Sequence, residues 1–201
     1  MSAALREDPQ PPEGPMIGPH TIEHWLALPP AEDGSRTELI FGHLHVSPAP
    51  SGEHQYVAGN LIHPLKVALA AAERPGLYVV PAVNVKISSA WRIALIPDLV
   101  ILNQRPEGVI FPPEAVVVAI EIWSPGNQRA ERETKALAYA EAGVPFLWTI
   151  EQANKFHDLR LTAHRLTEGR YVVENVLEAG APVTITAAPV PITLDLAALT
   201  I

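Results

Sequence analysis

Cysteine is absent from the 201 residues, which excludes disulfides, thiolate zinc sites and cysteine nucleophiles. Long apolar runs are also missing. Stretches such as Ala115 to Ile120 and Val144 to Ile150 fall far short of the roughly 20 residues that cross a bilayer. The opening MSAALREDPQPPEGP lacks the basic flank and apolar stretch of a secretory signal, so a cytoplasmic protein is expected, with no membrane partner. HEXXH, G-x-S-x-G, phosphate-loop and dinucleotide glycine patterns do not occur. Lysine is scarce, with four in the chain, and the net charge is −8. Proteins that hold nucleic acid draw affinity from neutralising phosphates, so a basic surface would have to be local; a basic groove around Arg129, Arg132 and Lys135 would favour a nuclease, and an acidic surface there a silent scaffold.

What is present describes one globular domain. Apolar residues make up 48% of the chain and charged residues 18%, enough apolar surface for a substantial core. Residues 1–18, rich in proline, glycine and acids, read as a disordered lead-in to a domain over 19–201. Thr21 caps a short helix that stops at Pro29 and Pro30. Arg36 to Ser47 alternates about Phe41-Gly42 as a hairpin. Glu53 to Glu73 carries apolar residues at helical spacing, with Pro64 as a kink and Pro75-Gly76 as the stop. Strands are expected at Leu77 to Val80, Val83 to Ile87, Asp98 to Leu102, Ala115 to Trp123 and Val144 to Glu151. A helix from Gln128 to Ala142 ends at Gly143. The remainder reads as antiparallel strands continuing the sheet, and the fold class is mixed α/β with a central sheet flanked by helices.

The candidate chemistry lies between Ile96 and Glu151. Asp98 begins an apolar strand (IPDLVIL), Glu121 interrupts another (VVVAIEIWSP), and Lys135 stands on the following helix (ERETKALAYAEAG). A buried charge without a partner pays heavily for lost hydration. Strand alternation places Val117, Ala119, Glu121 and Trp123 on one face and Val116, Val118, Ile120 and Ile122 on the other. If Asp98 lies on a neighbouring strand, two carboxylates meet and can hold Mg²⁺ or Mn²⁺ through oxygen. The ion would polarise a phosphoryl oxygen and activate water, and the ammonium would stabilise the charge developing on phosphate. The alternative reading is ordinary: a Pro-Asp turn, a paired glutamate, and a surface lysine four residues after Glu131.

The blocks TELIFGHLHVSPAPSGEHQYVAGNLIHPL, PDLVIL and VVVAIEIWSPGNQRAERETKALAYAEAGVPFLWTIE resemble the Uma-type restriction endonuclease family within the PD-(D/E)XK nuclease superfamily. The resemblance implies a restriction-endonuclease-like sheet and Mg²⁺-dependent hydrolysis of DNA. It assigns Asp98 and Glu121 as metal ligands and Lys135 as the catalytic lysine of a K…Y…GV…W segment (Lys135, Tyr139, Gly143-Val144, Trp148). Glu38 and His54 match auxiliary positions upstream. One departure stands out: the lysine of the usual E-x-K spacing is replaced by Trp123, so the ammonium would have to arrive from the helix. Lys135→Ala is expected to abolish cleavage without affecting folding.

Other candidates are weaker. His43 and His45 share a strand face and His54 and His63 a helix, without the partners of a zinc site. Ser124 to Asn127 reads as a turn capping the helix, with amides that could meet a phosphate. Trp123 and Trp148 read as core residues. Two functions are therefore expected in order: a Mg²⁺- or Mn²⁺-dependent DNA endonuclease, acting as a homodimer joined through the β-rich C-terminal third, or a catalytically silent binding module of the same fold.

Overall fold

The computed structural model describes residues 17–152 and 158–200. Most of the expected lead-in, together with the start of the HDLRLTAHRL segment at His157, lies outside the described residues. Ile17 and Gly18 do not belong to a lead-in: the Gly18 N–H donates to Phe41 O at 2.6 Å, and a Cβ on either Gly18 or Gly42 would collide with the other's backbone.

In chain order the elements are α1 (Ile22–Leu26), β1 (Arg36–Ile40), β2 (His43–Ser47), α2 (Gly52–Ala71), β3 (Tyr78–Pro81), β4 (Asn84–Ser88), β5 (Ile93–Leu95), β6 (Leu99–Leu102) and β7 (Ile110–Phe111). Then follow β8 (Val116–Trp123), α3 (Arg129–Glu141), β9 (Phe146–Gln152), β10 (Leu159–Thr167), β11 (Arg170–Leu177), β12 (Val183–Ile185) and β13 (Ile192–Leu194). A six-stranded sheet runs β11-β10-β9-β8-β6-β3, and a five-stranded sheet runs β2-β1-β5-β4-β7. The mixed α/β expectation holds, with β8 and β9 paired in parallel across α3 and their neighbours antiparallel.

Two expectations change. The PVTITAA segment does not extend the sheet: β12 pairs only with β13, as a separate two-stranded ribbon. The face assignment fails at Val117, because Ile101 pairs with Val118 while Leu102 pairs with Val116, leaving Val117 as a bulge. A bulge shifts the alternation by one residue. Val117 therefore packs with Val118 and Ile120 in the core under α2, and Val116 with Ala119 in the core toward α3.

Local signals explain the supports of the site. Ser51 Oγ accepts from His54 N, and α2 runs through Pro64 to Ala71 without a break. Its apolar stripe of Val57, Leu61, Leu65 and Leu69 is buried against the six-stranded sheet. Gly143 at φ +76° ends α3 and turns the chain into β9.

Candidate active site

Among the described residues, the buried polar or charged side chains are Glu38, His54, Asp98, Glu121 and Lys135. These are the five positions singled out from sequence, and all five line one cleft of about 830 Å³. They come from five parts of the fold: β1, the first turn of α2, the residue before β6, the C-terminal half of β8, and α3.

Asp98 is held at both oxygens. Its Oδ1 accepts from Arg36 Nη1 at 2.7 Å and lies 2.8 Å from His54 Nε2, and its Oδ2 accepts from Ile122 N at 2.8 Å. Against the cost of burial, these donors keep the carboxyl below its usual range, the His54 bond contributing most. Lys135 Nζ sits between two carboxylates, 3.0 Å from Glu38 Oε1 and 3.1 Å from Glu121 Oε2. Glu38 Oε1 also accepts from Ile96 N at 2.6 Å. On the other side of Glu121, the Tyr139 hydroxyl donates to Oε1 at 2.8 Å.

Glu121 is 2% exposed. Desolvation, reinforced by the nearby Glu38 and Asp98 charges, pushes its carboxyl up to about 8 despite Lys135. The two carboxylates raise the lysine above its ordinary range in spite of its burial, so the ammonium stays charged. Glu38, Asp98 and Glu121 stand opposite Lys135 and Arg36. A buried cluster of this kind is tolerated because every charge has a partner.

Trp123, in the slot where a lysine would follow the acid by two residues, is buried beneath the relocated amine. Lys135 Nζ lies 5.4 Å from its ring centroid and Arg132 Cζ 5.6 Å. The indole thus supplies a cation–π surface where the usual pattern has the cation itself.

Several expectations are corrected. The groove near α3 is not a strip of free basic charge: Arg129 pairs with Glu133 at 2.6 Å, Arg132 with Glu151 at 2.9 Å, and Lys135 with Glu38 and Glu121. Lys135→Ala cannot leave folding untouched, because it strands two buried carboxylates. The Ser124 to Asn127 turn does not cap α3 by side chain, since Gln128 is the N-cap residue and bonds nothing there. Instead Asn127 Oδ1 accepts from Ser124 N, and Asn127 Nδ2 donates to Glu131. Trp123 and Trp148 are core residues as expected, and the Trp148 indole donates to Ala187 O at 2.7 Å.

One contributor escaped the sequence reading: Arg36, two residues before Glu38 on one strand face, a spacing that is its only local signal. Tyr139, read in the sequence as part of the K…Y…GV…W segment without a role, stands four residues after Lys135 on one helix face and reaches Glu121.

The donor set fits a hard divalent cation. After the bonds above, Asp98 Oδ2 and the Glu121 carboxylate oxygens keep lone pairs. Among the described residues, no three His, Asp or Glu side chains form a closed metal cage. Mg²⁺ does not need one, since it is commonly held by one or two carboxylates with water and phosphate completing the shell.

Comparison with known proteins is consistent with this geometry. The model of the Uma2 family, described as "Putative restriction endonuclease", matches residues 22–197. A similar solved structure is that of "a putative nuclease belonging to DUF820" from Anabaena variabilis, with a TM-score of 0.65 and 18% identity over 90% of this chain and 97% of the other. At that identity the likeness shows the fold. No curated protein matches the chain.

Proposed function

The chain belongs to the Uma2 restriction endonuclease family, and from that premise we propose that it hydrolyses phosphodiester bonds of DNA at this cleft with Mg²⁺ or Mn²⁺. The observation that carries the reading is the meeting of five buried polar side chains from separate elements at one opening. A fold needing only stability would place apolar residues there, since buried ion clusters are poor stabilisers.

Asp98 and Glu121 would hold the ion, which when bound supplies Lewis-acid polarisation of a phosphoryl oxygen. Arg36 and His54 fix the Asp98 rotamer, and Tyr139 fixes that of Glu121. Lys135, steered by Glu38 and seated on Trp123, presents an ammonium to charge accumulating on the phosphate in a site shielded from water. Cutting both strands of a duplex takes two clefts, so duplex cleavage would use two copies of the chain.

The test is calorimetric Mn²⁺ titration beside cleavage of a DNA set with both single-stranded and duplex members, with folding followed by thermal melts. Wild type is expected to bind Mn²⁺ and cut; Asp98→Asn and Glu121→Gln lose at least about 10-fold in metal affinity. Lys135→Ala loses about 10²–10³-fold in rate while still binding metal. A folded wild type that neither binds Mn²⁺ nor cuts overturns the proposal. One observation favours the silent-module reading in that event: Lys135, Arg129 and Arg132 already have acidic partners within the chain.

A further inference from the structure

Beside the cleft lies an aromatic pair that the chemistry above does not use. Trp91, at 49% exposure, is the exposed tryptophan among the described residues. It meets Phe41 edge to face, with centroids 6.3 Å apart and planes at 88°, and Phe41 itself lines the cleft. Phe41 follows directly on β1, three residues after Glu38.

The pair is fixed rather than loosely displayed. Phe41 and Gly42 form a two-residue hairpin turn at φ +50° and +73°, closed by the pairing of Ile40 with His43. This turn normally takes asparagine, aspartate or glycine, and a bulky ring there is strained. Trp91 sits in the neighbouring turn before Arg92, which also has positive φ, at +51°. The Gly42 N–H donates to Arg92 O at 3.0 Å, Arg92 Nη1 donates to Gly18 O at 2.8 Å, and Phe41 O and Gly42 O accept from Gly18 N and His20 N. The two tips are tied into one unit. Strained backbone held this firmly to display a side chain is a mark of functional positions. Neither tip contains an acid (Phe41-Gly42; Ser89-Ala90-Trp91-Arg92), although the whole chain carries −8.

From this we infer that the exposed ring of Trp91, buttressed by Phe41 at right angles to it, is a stacking face for an unpaired base of a nucleic-acid strand whose phosphate enters the Asp98–Glu121 cleft. The inference rests on the nuclease reading and adds a substrate class: a strand with exposed bases beside the cut, rather than an intact duplex. Aromatic faces take any base. The absence of acid at the tips admits a polyanion, and Phe41 lines the same cleft as Asp98 and Glu121.

The decisive experiment uses the full chain in EDTA and a fluorescein-labelled 12-nucleotide single strand, compared by anisotropy with the same strand in duplex. Wild type is expected to bind the single strand at least about 10-fold more tightly. Trp91→Ala and Phe41→Asn should each weaken that binding by about 5- to 100-fold. Phe41→Asn relieves the turn, so its melting temperature should stay the same or rise while binding falls. Affinity unchanged in both variants, equal affinity for duplex, or no binding by wild type overturns the platform. So does a shift in oligomeric state on Trp91→Ala without loss of oligonucleotide, which would assign the pair to a protein contact. If the Trp91 dependence holds but no metal-dependent cleavage occurs, the platform stands and the nuclease reading falls. If cleavage persists undiminished in both variants with unchanged affinity, the reverse applies.

Discussion

Glu121 holds the balance of charge at the residue scale. Its proton is favoured in the folded chain, where burial and two neighbouring carboxylates raise it from 4.5 to about 8. A carboxyl raised on folding contributes stability that is complete below the unfolded value and lost as pH climbs through the folded one. In EDTA, therefore, the melting temperature should fall by several degrees between pH 5 and pH 8, and Glu121→Gln should flatten that slope. A wild-type melting temperature that rises over the window would show that Glu121 is ionised in the folded protein. Asp98 acts in the opposite direction and at lower pH, because His54 and Arg36 favour its charged form. Asp98, Glu121 and Lys135 were legible because two acids stand in or beside apolar strands and a rare lysine follows on the next helix, whereas Glu38 and His54 were picked out by the family resemblance. Arg36 was not, since its partner Asp98 lies 62 residues away and no local pattern links them.

Elements decide where those side chains point. With Trp123 two residues after Glu121, the ammonium that meets Glu121 comes from α3, where Lys135 Nζ lies 3.1 Å from Oε2. That placement depends on where α3 stops. Gly143 adopts φ +76° in open space, so Gly143→Ala meets backbone strain and no clash. It should cost about 1–2 kcal/mol, lowering the melting temperature by roughly 2–8 °C; no change would mean that the turn relaxes. The long elements α2, β8, α3 and β9 were readable from period and caps. The five-stranded sheet was not, because β5 and β7 have three and two residues, too few to show alternation. The bulge at Val117 is equally silent in sequence: it arises from register against β6 rather than from any residue in β8.

For the molecule as a whole, charge is the constraint that any nucleic-acid function must satisfy. Arg36, with its side chain 23% exposed, and Lys135 are the lysine and arginine of the cleft among the described residues, and Lys135 is committed to two acids. Few counterions can be released, so oligonucleotide affinity should depend weakly on salt, with a log–log slope of about −1. A slope steeper than about −4 would reveal phosphate contacts well beyond this cleft. Among the described residues no helix is long and apolar enough to cross a membrane. The outermost strand of the larger sheet bears on assembly. On β11, Glu174 is the extra residue opposite Ala163 and His164, and it bonds back to Arg165. The free border of the sheet is thereby broken midway along its length, although Val172, Val173 and Val176 are exposed there. A break of this kind denies a strand arriving at β11 a continuous ladder, so two copies that met at this border would do so through its exposed valines rather than by extending the sheet.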